Sequence, residues 1–580
     1  MSSSLAQAPS LVPSALGATA SRVIYTAIAG AYDVLKEQPH ARHNDALFVA
    51  FVDAPCESPT WRTLPVHAGL ADPNRNAKIH KVLSHVYFPD AEYSLWIDGS
   101  VTIRAAQRLQ HLIDAYLSES DVAVFRHRVR TCIYQEANVC MQRELDDPQL
   151  IWQQVCRYTR AGYPANAGLA ECPVILRRHT PAVRAFNEAW WAEISAGSRR
   201  DQLSFNYTAR NLGLRYAVFD GTIADNAWFH RAAHHAQPAA INDEPAAAAP
   251  QAAEAPARYF YSRPEPPRRK TVAFGRVFDQ PSWSWAGFEV ARELSAQYDV
   301  VLFDSEASPP ACDVLFMVKK RLTPRFLDAL RPDTKLVYCP IDAYRTAHEL
   351  DSDGALLRAC SAILVHSERL LPLLRPYCAD TRFVEHHTRY ALPELAPYKA
   401  DGFILWIGHC QYIPYLLHWL AAHPLDHEVR ILTDLDSARG RRAAEANAAQ
   451  IGLPLDLRAD SERIAGCRVY RWSEYRQQLM MRECKAALDV KHTDLFGQYH
   501  KPPTKAQQFV ASGIPCAVNP QSYSAEYFRA RGFEPASPAD PDRWLSRDYW
   551  QATRQAATRL RDETSIDTVV ASYRRLIESL

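Results

Sequence analysis

The stretch from 236 to 268 constrains this chain more than any other part of it. It is rich in Ala and Pro and shows no apolar periodicity. A segment of that kind cannot bury a core and reads as a semi-extended linker. It divides the 580 residues into a front segment, 21–235, and a rear segment, 269–580. The rear segment is long enough for two cores and breaks again near 395, giving 269–395 and 396–580. No internal repeat relates front to rear. Residues 1–20 lack a basic start and an unbroken apolar run, so they read as a disordered lead, not a signal peptide.

Composition narrows the class. Lys plus Arg number 66 against 65 Asp plus Glu, a net charge of +1. With no basic stripe, nucleic acid is not an expected partner. The 13 cysteines are scattered, without paired spacings, which argues against zinc ribbons and a disulfide framework and fits a reducing compartment. No apolar run is long enough for a membrane span. The expected location is cytoplasmic, with peripheral contact at the inner face of a membrane left open.

Both segments alternate strand-like and helix-like stretches, the pattern of α/β layers around mainly parallel sheets. In front, strands are expected at 22–30, 46–53, 93–98, 121–127 and 172–178, with helices over 76–86, 104–117, a long stretch through Trp152, and 182–194. Behind, one set of strands runs from 271 to 367 and a second from 403 to 520. Two successive doubly wound sets place ligands outside the carboxyl ends of their strands.

Chemistry-bearing residues gather in a few places. Trp96-Ile97-Asp98-Gly99-Ser100 puts a carboxylate at a strand end, where a divalent ion can bridge it to a diphosphate. By itself the same run also reads as an Asp in a turn before Gly. Ser198 to Asn206 offers Arg199 and Arg200 for an anion and Asp201 and Gln202 for sugar hydroxyls or catalysis. It reads equally as a helix start capped by Ser198. His230, His234 and His235, before the linker, are candidate metal ligands or plain surface histidines. In the rear, Lys501-Pro502-Pro503-Thr504-Lys505 leads into a short helix that Thr504 can cap and Gly513 can end. Such a helix start suits a phosphate, and it also suits an ordinary connection between helix and strand. The loop at 279–287 offers aromatic faces to a sugar or to the core, and Glu385-His386-His387 offers a base or buried structural histidines.

The front segment resembles the glycosyltransferase-like family typified by a plant seed-mucilage protein. The resemblance is carried in order by Tyr25 to Asp33, Asp72 to Lys78, Trp96 to Ser100, Arg126-His127, Cys132 to Ala137, Glu171 to His179, Trp190-Trp191 and Ser198 to Asn206. It implies a GT-A-like, Rossmann-type domain using a nucleotide-sugar donor and a divalent metal, Mn²⁺ or Mg²⁺. By position it implies donor contacts from Tyr25, Thr26, Asp33, Arg75, Lys78, Asp98 and Arg200, and a catalytic pair in Asp201 and Gln202. The usual Asp-x-Asp is here Asp98-Gly99-Ser100, so the expected metal set is Asp98, Ser100, His230 and His234, or water. The rear segment resembles GT-B glycosyltransferases in its helix ending at a Gly-x-Pro step. It implies a two-lobed, GT-B-like pair of doubly wound domains, a donor site drawn from Gly408, Lys491, Lys501, Lys505 and Gln508, and no cofactor. The family's two glutamates correspond to His500 and Gln508. Together the resemblances imply a bifunctional glycosyltransferase acting on a glycan or glycolipid acceptor, or a single active front module with a binding module behind.

Overall fold

The computed structural model describes residues 20–104, 107–232 and 269–580. Two expectations, the lead (Ala20 apart) and the linker, lie outside these residues, as do His234 and His235. The described residues form two compact units, one of residues 20–158 with 162–232, the other of 159–161 with 269–580. Both are α/β with largely parallel sheets.

The first unit is built on nine strands: β1 (Arg22–Ile28), β2 (Leu47–Val52), β3 (Arg62–Pro65), β4 (Tyr93–Ile97), β5 (Val101–Ile103), β6 (Val122–Arg126), β7 (Ala170–Arg178), β8 (Ala217–Val218) and β9 (Phe229–Arg231). Seven form one sheet in the order β3-β2-β1-β4-β7-β6-β8, while β5 pairs with β9. Within the large sheet β7 alone runs antiparallel to its neighbours. β1 is central and apolar on both faces: Val23 and Tyr25 enter one core, Ile24 and Ile28 the other. Asp72 caps the helix Pro73–Val82 by accepting the N–H of Asn74, and Pro73 occupies its first turn. The long helical stretch expected through Trp152 is two helices, Ile133–Gln142 and Pro148–Arg160. Glu144, at positive φ, turns the chain between them.

The second unit holds two six-stranded sheets. The first is parallel throughout, β10 (Thr271–Gly275), β11 (Asp299–Phe303), β12 (Val314–Val318), β13 (Lys335–Cys339), β14 (Ala362–Val365) and β15 (Thr381–Phe383), in the order β11-β10-β12-β13-β14-β15. The second is β16 (Ile404–Ile407), β17 (Val429–Thr433), β18 (Arg463–Ile464), β19 (Cys467–Arg471), β20 (Ala486–Asp489) and β21 (Cys516–Val518), in the order β18-β19-β17-β16-β20-β21. Only the short β18 is antiparallel there. The last helix, Ile566–Ser579, returns to the first sheet. Its Tyr573 ring lies 5.5 Å from Phe316, and Lys270 Nζ donates to Ile577 O at 3.0 Å.

Candidate functional site

In the first unit the site forms where β4 ends and the helices Pro73–Val82 and Gln202–Asn211 begin or pass. Asp98 leaves β4 with its N–H donating to Pro173 O at 2.7 Å, which fixes it at the rim of the sheet. Its carboxylate is 40% exposed, and Oδ1 accepts from Trp96 Nε1 at 2.7 Å and Lys81 Nζ at 3.3 Å. Lys81 also reaches Asp201 Oδ2 at 2.7 Å, and Lys78 reaches Asp201 Oδ1 at 2.9 Å. Lys78, Asp201, Lys81 and Asp98 thus form one alternating chain of charge. Burial opposes the Asp201 charge, but Lys78 and Lys81 hold its carboxyl far below the usual range. Burial also opposes the Lys81 ammonium, and Asp201 and Asp98 overcome it and raise its pKa.

The chain of charge continues through Arg200, which lies among Cys140, Asp201 and Glu136 and donates to Gln202 Oε1 at 3.1 Å. Glu136 accepts from Arg130 Nε at 2.6 Å, and His127 Nε2 stands 3.5 Å from it. His127 Nδ1 accepts the N–H groups of Val129 and Arg130 at 3.2 and 3.0 Å, so Nε2 carries the proton facing Glu136. Gln202, Asp201 and Glu136 are all less than a tenth exposed. A set of buried opposite charges held this closely can position an anionic ligand and orient hydroxyls without moving.

Several expected site residues have other engagements. Tyr25 is a core residue, its hydroxyl donating to Lys81 O at 3.1 Å and accepting from Arg177 Nη1 at 3.0 Å. Thr26 is buried, with Oγ1 unpartnered among the described residues. Asp33 is turned onto Lys36 Nζ at 2.9 Å and the N–H of Val34. Arg75 secures the C-terminal end of the helix Pro181–Ala196, donating to Ile194 O and, at 2.8 Å, to Gly197 O. Ser198 is not the cap of the next helix. Its hydroxyl donates to Asp146 at 2.7 Å, and Asp201 caps by accepting the N–H of Gln202. Of the expected metal set, Ser100 is buried with its carbonyl bound by Ala232 N–H at 2.8 Å, and His230 is exposed on β9 opposite Thr102. Among the described residues no three His, Cys, Asp or Glu side chains are placed to hold one ion. Lys81 and Glu136 were not singled out from the sequence. Lys81, three residues after Lys78 on a helix, has the spacing of a solvated face, and its partners come from distant segments.

In the second unit, residues of the second sheet's carboxyl rim gather around the helix Thr504–Ala511. That helix has no side-chain cap. Thr504 is its first residue, while Gly513, at φ +71°, follows its end as expected. Lys505 Nζ lies 5.4 Å from the Trp406 ring and Lys501 Nζ 4.5 Å from the Tyr412 ring. Burial, with help from Lys501, pushes Lys505 down to about 7. Lys491 is neutralised locally by Asp489 at 2.9 Å and donates to Ser524 Oγ at 2.7 Å. Asp434 binds the loop after β16, accepting from Cys410 N at 2.7 Å, with His409 Nδ1 at 3.0 Å. Gly408 is required there, because a Cβ would stand 2.1 Å from the Trp406 ring. Gln508 is buried and accepts from Gln477 Nε2 at 3.1 Å, and His500 Nδ1 bonds Phe496 O at 2.8 Å. The structure thus gathers Lys501 and Lys505 beside the Gly408 loop and leaves Gln508 in the packing.

A probable hexosyltransferase MUCI70 of Arabidopsis thaliana is 32% identical over 157 residues, covering 25% of this chain and 27% of the relative. An alkaline ceramidase TOD1 of the same plant is 23% identical over 161 residues, 25% of this chain and 34% of the relative. The chain therefore spans about a quarter to a third of the length of these relatives. Among solved structures, AviGT4, a glycosyltransferase involved in avilamycin A biosynthesis, is 14% identical with a TM-score of 0.35, covering 54% of this chain and 99% of that one. WaaG, a glycosyltransferase involved in lipopolysaccharide biosynthesis, is 9% identical with a TM-score of 0.33, covering 53% and 99%. Scores this low establish no relationship. The match that holds is to the family model of the TOD1/MUCI70 glycosyltransferase-like domain over residues 20–224, the segment that contributes Lys78, Lys81, Asp98 and Asp201.

Proposed function

We propose that the front unit transfers a sugar from a nucleotide-sugar donor to a glycan or glycolipid acceptor, in a GT-A-like arrangement. The observation that supports this best is the run Lys78-Asp201-Lys81-Asp98 at a sheet rim, inside the segment that matches a glycosyltransferase-like family. Lys78, Lys81 and Arg200 supply positive charge for a diphosphate, while Asp201 and Gln202 orient the sugar and acceptor hydroxyls. A divalent ion fits one mode only: Asp98 as its single protein carboxylate, through the oxygen not engaged by Trp96 and Lys81, with phosphate oxygens and water completing the shell. Bound there, Mn²⁺ or Mg²⁺ would neutralise charge on the leaving diphosphate. Asp98→Ala tests the reading. The expected result is loss of nucleotide-sugar turnover with the fold retained, and full turnover overturns the role of Asp98.

The rear unit reads as a GT-B-like module with its donor phosphates at Lys501, Lys505 and the Gly408 loop, which would make the chain bifunctional. A second reading, that the rear unit only binds glycan or a partner, is favoured by Gln508 and His500 standing at the positions of the expected glutamates. Full-length Lys505→Met, assayed with each donor that the wild type turns over, separates the two. Loss of one activity with another kept supports two active sites, and loss of none supports a binding module.

A further inference from the structure

Glu171 is a carboxylate of the front unit's polar cluster that no role above uses. It sits at the start of β7, paired across the sheet with Phe125 and two residues before Pro173, whose carbonyl binds the N–H of Asp98. It is 7% exposed, and its Oε2 has no hydrogen-bond partner among the described residues. Burial raises its pKa against the nearby charges of Arg128 and Arg231 and a hydrogen bond from the Arg128 backbone N–H, and Glu136 adds to the rise, so Oε2 alone is left open. Arg200, in the same cluster, also keeps a buried unpartnered atom, Nε. A buried carboxyl oxygen without a donor is costly, and an apolar side chain would serve packing better. Beside a candidate diphosphate site, such an oxygen suits a ligand hydroxyl.

We propose that Glu171 contacts the transferred sugar of the donor, accepting a hydrogen bond from one of its hydroxyls and so discriminating among sugars. The inference rests on reading the front unit as a nucleotide-sugar transferase. A site built to bond a hydroxyl rejects a sugar that lacks it in that orientation, because the buried carboxyl is then left unpaired. Glu171 would therefore affect which sugar binds and leave the nucleotide's own affinity alone.

Calorimetry on the full-length chain tests this, with UDP-glucose, UDP-galactose and GDP-mannose against UDP and GDP as sugar-free references. The wild type is expected to bind one nucleotide sugar more tightly than its parent nucleotide. Glu171→Ala should lose that margin, a change of roughly tenfold, with nucleotide affinity unchanged. Glu171→Gln, which keeps the shape, should alter the order of preference among the sugars. Should the alanine variant fail to fold by thermal melting, the glutamine variant decides alone. Wild-type margin and wild-type order in the folded variants overturn the role of Glu171. No binding of any of the five compounds by the wild type overturns the transferase reading, and the inference falls with it.

Discussion

At the residue scale, Lys81 has the largest consequences. Its ammonium is shared by two carboxylates, so removing it leaves Asp201 buried with Lys78 alone and Asp98 without its ion pair. Breaking a buried pair on one side costs about 3 kcal/mol or more. Lys81→Met should therefore lower the unfolding free energy of the front unit by about that amount in urea titrations, and an unchanged midpoint would refute the shared ion pair. Asp98 and Asp201 were legible because each sits in a short local pattern, a strand end before Gly and an Arg-Arg-Asp-Gln run. Lys81 was not, because its meaning lies in who approaches it. Glu385 makes a different prediction in the rear unit. Burial pushes it up to about 7 from an ordinary 4.5, although Arg531 Nη2, Tyr527 and Gln507 all donate to it. Its folded pKa is the higher one, so its stabilising contribution is complete below 4.5 and is lost as pH rises through about 7. Glu385→Gln should flatten that decline, read from urea midpoints between about pH 5 and about pH 8.

At the scale of elements, alternation in the sequence marked every long strand, because buried strands of five or more residues carry a run of apolar side chains. It missed β3, β5, β8, β9 and β18, of two to four residues, since so few positions hold no period. The pairing of β5 with β9 could not be read at all, because it joins segments far apart in the chain. The helix Thr504–Ala511 was legible from its punctuation, and Gly513 carries a testable share of it. At φ +71° an alanine is strained, and its Cβ would also meet Leu395 Cβ at 3.3 Å. Gly513→Ala should cost about 1–2 kcal/mol in chemical unfolding, and a neutral result would mean that the turn relaxes freely.

At the scale of the whole molecule, both units draw on the same economy of small buried thiols. All 13 cysteines are free, and Cys56 alone is exposed. Burial raises several of the others further from reactivity, Cys410 and Cys484 to about 12. Native protein should titrate one fast thiol per chain with an aromatic disulfide reagent and all 13 only after denaturation. Two or more fast thiols would show that a core opens readily. No helix among the described residues is long and apolar enough to cross a membrane.

The small ladder of β5 with β9 sets a practical limit on how the front unit can be cut. The family match stops at 224, yet Phe229 to Arg231 pairs with Val101 to Ile103, and Ala232 N–H closes on Ser100 O. The loop that follows Asp98 is therefore stapled by the last few residues before the linker. A fragment trimmed to that boundary would keep Lys78, Lys81, Asp98 and Asp201 and lose the clasp that holds their rim.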